Sequence, residues 1–131
     1  MRDMDINVAI NSEVTKTFTK YCRNNGFMAR NVLKYIIEHR EIIDEVCCNI
    51  LKSEEEYMRA ILYQHKMKGL PKNNATPYAL KNVKSDLSLK EILKQNGITV
   101  VFFFCYLAVN PIEVNFICNK IPDELKMKKY Q

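Results

Sequence analysis

The chain has 131 residues, 20 Lys and Arg against 15 Asp and Glu, a formal net charge of +5 and 47% hydrophobic residues. That is enough chain to bury a core as one domain, or as a small module plus a second part, and the composition excludes a disordered or low-complexity protein. The longest apolar run, Ile98 to Val109 interrupted only by Thr99, is too short to cross a bilayer as a helix.

In chain order, the first informative stretch is residues 5 to 37, where the hydrophobic period changes from two to about three and a half. Asp5-Ile6-Asn7-Val8-Ala9-Ile10-Asn11 alternates, and this predicts a half-buried strand with Ile6, Val8 and Ile10 on one face. Ser12 then caps a predicted helix carrying Val14, Phe18, Tyr21 and Cys22 inward, and Asn24-Asn25-Gly26 ends it because Gly26 tolerates a left-handed conformation. A second helix starts near Phe27 and turns Val32, Leu33, Ile36 and Ile37 inward.

A strand, a helix, a glycine turn and a helix in this order resemble the ribbon-helix-helix repressors of the Arc and MetJ type, over residues 5 to 39 only. In that family the strand pairs with its copy from a second subunit, and the ribbon lies in the DNA major groove. The resemblance implies that Ile6, Val8, Ile10, Val14, Phe18, Leu33 and Ile37 form a dimer core, and that Asp5, Asn7 and Ala9 read bases. Asn7 can pair bidentately with adenine and Ala9 can touch a thymine methyl, whereas Asp5 can only accept from cytosine. Arg2, Arg30, Asn31, Lys66, Lys68 and Lys72 are the phosphate-contacting candidates. Where the family places a Ser or Thr cap after the turn, this chain has Met28 and Ala29.

Helical spacing continues beyond residue 40. Ile42, Ile43, Val46, Cys47, Ile50 and Leu51 make one apolar face, as an extension of the second helix or as a separate one. Ser53 followed by Glu54, Glu55 and Glu56 is a helix start, with a cap and acids at the positive end of the dipole, and that helix is expected to bury Tyr57, Met58, Ile61 and Leu62. Residues 69–77 hold two prolines and a glycine and are a predicted loop. Ser85 or Asp86 caps a helix through Leu93 that Asn96-Gly97 ends. The period of residues 98–109 does not separate buried strand from buried helix, and helical flanks favour a helix. Asn110-Pro111-Ile112-Glu113 has the form of a capped helix start with proline at its first position. Residues 122–131 form a polar tail.

The expected architecture is therefore mainly α: a ribbon-helix-helix module over residues 1–51, then a helical region over 52–131 for oligomerisation or partner binding. Charge is unevenly spread. Residues 1–51 carry seven basic and seven acidic side chains, and residues 52–84 carry seven basic and three acidic, with Lys66, Lys68, Lys72, Lys81 and Lys84 in an acid-free run. A neutral DNA reader needs such lysines, because non-specific affinity comes from cations that release phosphate counterions.

The five cysteines are odd in number and lack C-x-x-C spacing, and adjacent Cys47 and Cys48 project about 100° apart on a helix. With no charged segment followed by an apolar stretch at the start, reduced, packed thiols and a cytoplasmic protein away from membranes are expected. His39 and His65 stand in no metal-binding or triad spacing, and three glycines make no phosphate loop. The expectation is a non-enzyme without metal or cofactor. Its partners would be double-stranded DNA and its own copies, as a homodimer or higher oligomer acting as a transcriptional repressor or a plasmid or phage maintenance or transfer factor. The alternative is a helical protein-interaction module without nucleic acid.

Overall fold

The predicted N-terminal strand forms, but two residues ahead of its expected start, and its hydrogen-bonding partner lies within the same chain. In the computed structural model, which describes residues 3–8, 10–68 and 78–127, strand β1 (Asp3–Val8) pairs antiparallel with β2 (Tyr78–Lys84). The ribbon-helix-helix resemblance implies a partner in a second subunit, and the sequence pattern gives no signal for β2. Ile10 leaves the strand but stays buried. The ladder pairs Met4 with Val83 and Ile6 with Leu80, so Lys81 and Asn82 together oppose Asp5. That two-against-one count is a β-bulge. Asn82 sits in it at φ 53°, a left-handed conformation that asparagine accepts more readily than most residues.

Seven α-helices and a short 3-10 turn (Asp123–Leu125) are the other regular elements among the described residues. Helix α1 (Ser12–Asn24) is capped by Asn11, whose side chain accepts from the Glu13 N–H at 2.8 Å, so Ser12 is the first helical residue and not the cap. Gly26 at φ 88° ends it as predicted: the Phe27 N–H reaches the Cys22 carbonyl and the Gly26 N–H reaches that of Arg23, the bond pair of a Schellman motif. Helices α2 (Ala29–Glu38) and α3 (Arg40–Lys52) are separate, broken at His39, which stacks on Tyr35 with ring centroids 4.0 Å apart.

Helix α4 (Glu54–Lys68) starts where expected, with Ser53 Oγ accepting from the Glu56 N–H at 3.3 Å. Its buried face is not the expected one. Ala60 is its fully buried side chain, while Met58 and Leu62 are 47% and 66% exposed. The small Ala60 side chain lets α4 pack closely on α6 (Val100–Val109), and this turns the larger residues outward. Helix α5 (Leu89–Gln95) is capped by Ser88 in a complete capping box with Glu91, three residues later than Ser85.

The apolar run is helix α6, buried from Phe102 to Ala108 and packed by α1, α4, α5 and α7 (Pro111–Asn119). A helix that is apolar all round belongs in a core. No single helix among the described residues is long and apolar enough to cross a membrane. The core runs without a break from Ile6 to Ile121, so residues 1–51 and 52–131 both contribute to it. Phe18 sits at its centre with edge-to-face contacts to Phe104 (5.3 Å between centroids) and Tyr78 (6.3 Å). The buried thiols behave as small hydrophobes, with burial pushing Cys47 up to about 12 and Cys105 up to about 11.

Two C-terminal expectations change. Asn110 does not cap α7 with its side chain; its amide donates to the Tyr106 carbonyl, and Glu113 accepts from Asn49 at 2.9 Å where a capping box would turn it back on the helix. The start of the predicted polar tail is docked, since the Met127 N–H donates to the Gly26 carbonyl at 2.8 Å. The predicted loop at 69–77 and residues 128–131 lie outside the described residues.

Burial raises the Glu113 carboxyl above its ordinary value, against the lowering by Asn49 and with help from Glu56 and Glu45. A raised folded-state value means that the folded state holds the proton more tightly: stability is greatest below the unfolded value and falls as pH rises through the folded one. Glu113→Gln keeps an acceptor for Asn49 and removes the charge. It should therefore raise stability at pH 7 by about 0.5 kcal/mol after solvent screening, and urea unfolding should show that gain vanish near pH 3. An unchanged or lowered stability at pH 7 would mean that the ionised form is favoured in place.

Candidate binding groove beside the sheet

Among the described residues the sheet has two strands, so β1 carries β2 on one edge and has no strand partner on the other. That open edge faces a groove of about 870 Å³. Five consecutive residues, Met4 to Val8, form one wall, and no residue of β2 lines it, which places the groove on the free side of β1. The opposite wall is the corner between α5 and α6, where the chain turns by 87°. The corner is built by Asn96 and Gly97. Gly97 at φ 73° closes α5 with a second Schellman pair, the Ile98 N–H on the Leu93 carbonyl and the Gly97 N–H on that of Lys94. Thr99 then caps α6 by accepting from the Phe102 N–H at 3.1 Å.

The groove is apolar between its walls, with Leu89 and Ile98 at its base and the half-exposed Val101 at its mouth. Lys90 and Lys94, one turn apart on α5, line it from the helix side; both are exposed, and neither ammonium has an ion-pair partner among the described residues. The first turn of α6 opens onto the same space and adds positive potential. On the other wall, Asp5 is already engaged: its carboxylate accepts from the Asn82 N–H at 3.1 Å and pairs with Lys81 at 3.6 Å. The Asn82 bond, ahead of Lys81, holds this carboxyl below its ordinary value. Asp5 thus braces the bulge.

Of the expected base readers, Asp5 and Asn7 are exposed on the outward face of the sheet and Ala9 lies outside the described residues. That face carries Asp3 and Asp5 against Lys81 and Lys84, two charges of each sign. Among the phosphate candidates, Arg30 and Asn31 are exposed at the start of α2 and Lys66 and Lys68 in the last turn of α4, while Arg2 and Lys72 lie outside the described residues. None of the four described ones lines the groove. The seven expected dimer-core residues, Ile6, Val8, Ile10, Val14, Phe18, Leu33 and Ile37, are all buried in this chain's own core. Among the described residues no group of three or more His, Cys, Asp or Glu is placed to hold a metal ion.

Lys90, Lys94 and Val101 are among the groove residues that no sequence signal singles out. Helical spacing makes the lysines an ordinary solvated face of α5, and no local signal announces that the corner after them will aim that face at a strand edge. Together the fold and groove define a mainly helical protein with a small antiparallel sheet and an open strand edge. Comparison with protein-family models, curated proteins and solved structures finds no match.

Proposed function

We propose that this chain acts by binding another polypeptide in the groove between β1 and the α5–α6 corner, as a protein-interaction module and not as an enzyme. The observation that carries this function is the β1 edge that has no strand partner among the described residues and stands beside an apolar trough of about 870 Å³. An exposed strand edge presents unpaired N–H and C=O groups that proteins ordinarily blunt or cover, and an edge beside apolar side-chain space is the arrangement that accepts an added strand. Duplex DNA, bound by a dimeric repressor or accessory factor, is the second function considered, supported by the exposed Lys66, Lys68 and Lys84. The balanced charge of the outward sheet face supports it less, since a DNA-facing surface gains affinity from net positive charge.

Selection of a random peptide library on the full chain tests the first function. Enriched peptides should compete with one another and lose binding to Val101→Arg, a change at a half-exposed position that leaves the core intact. If no peptide is enriched while labelled duplex binds with a steep salt dependence, the groove is not the working surface and the function passes to DNA.

A further inference from the structure

Resting on the groove's role as a binding site, we infer that its occupant is an extended acidic segment of a partner protein, added to β1 as a third strand with its carboxylates on Lys90 and Lys94. The extended form follows from the wall. Five successive residues of β1 line the groove, and every second residue of an edge strand turns its N–H and C=O outward, so only a chain in strand conformation can satisfy them in series. A helix would leave those groups unpaired.

The charge follows from what is left over. Lys90 and Lys94 have no ion-pair partner among the described residues and lie along the groove, whereas the carboxylate across from them, Asp5, is committed to Asn82 and Lys81. The uncommitted formal charge along the groove is positive, and a strand with alternating side chains can place apolar groups on Leu89, Ile98 and Val101 while its acids meet the lysines. A second copy of β1 is less suited, because it arrives with β2 hydrogen-bonded to its far edge. The trough is lined by α5 across from β1. It calls for a lone strand.

The test is fluorescence anisotropy on the full chain with three capped peptides: alternating Glu and Val, alternating Lys and Val, and the Glu–Val peptide N-methylated at every second residue. The Glu–Val peptide should bind saturably, the Lys–Val peptide should not, and N-methylation on the edge-facing residues should abolish binding. The exposed double variant Lys90→Glu/Lys94→Glu, checked by thermal melting, should weaken the Glu–Val peptide by about tenfold or more and improve the Lys–Val peptide. Equal binding of both charge types, or indifference to N-methylation or to charge reversal, would overturn the inference. The interaction function would survive that result if library peptides still depended on Val101. Self-association that the peptides displace would assign the groove to a second copy and overturn the inference too.

Discussion

Phe104→Ala should destabilise the protein by about 3–5 kcal/mol and lower its melting temperature by roughly 10–20 °C. The ring is fully buried in α6 and meets Phe18 edge-to-face at 5.3 Å and Phe103 at 5.7 Å. Removing it leaves a cavity at the point where α1 meets the central helix, and the rigid aromatic neighbours limit collapse into that space. Such a loss is a large part of the stability of an ordinary domain, about 5–15 kcal/mol. A double-mutant cycle with Phe18→Ala should return a coupling of about 0.5–1.5 kcal/mol beyond area burial. A total cost under about 1.5 kcal/mol for Phe104→Ala would show that α6 is not the close-packed hub described above.

A fragment of residues 1–51 should not fold by itself, at any concentration accessible to circular dichroism. Its strand β1 takes its ladder from β2, and Phe18 takes its ring partners from Tyr78 and Phe104. Tyr78 also ties α1 down through its hydroxyl, which donates to the Thr15 carbonyl at 3.1 Å and bonds to Thr19 at 2.6 Å. The fragment lacks all of these, and a lone strand with two or three short helices has too little apolar surface to bury. A cooperative thermal transition, with sedimentation showing a dimer, would instead establish an autonomous strand-exchanging module of the ribbon-helix-helix kind.

Local chemistry was legible in the chain. The Gly26 and Gly97 helix ends, the Ser53 and glutamate start of α4 and Pro111 at the first position of α7 form as their residues indicate, because each depends on groups within a few positions of one another, whereas the all-apolar run of α6 left strand and helix open. Phase and partnership were not. The outward rotation of Met58 and Leu62 depends on how closely Ala60 approaches α6, forty residues on. Strand β2 escaped because Leu80 and Val83 are separated by the bulge at Lys81 and Asn82, which breaks the alternation that would announce a strand.

The candidate site divides the same way. From the N-terminal residues alone, β1 could be expected as a half-buried strand with Ile6 and Val8 inward and Asp5 and Asn7 outward, since a period of two needs no knowledge of what lies beside it. Which edge is covered, which stays open, and that Lys90 and Lys94 border the open one were decided by tertiary structure. Those facts depend on an antiparallel pairing across some seventy residues of chain and on an 87° turn between two helices. Such contacts are selected by the burial of one shared core, a non-directional force that acts on the whole chain at once and leaves no local period to read.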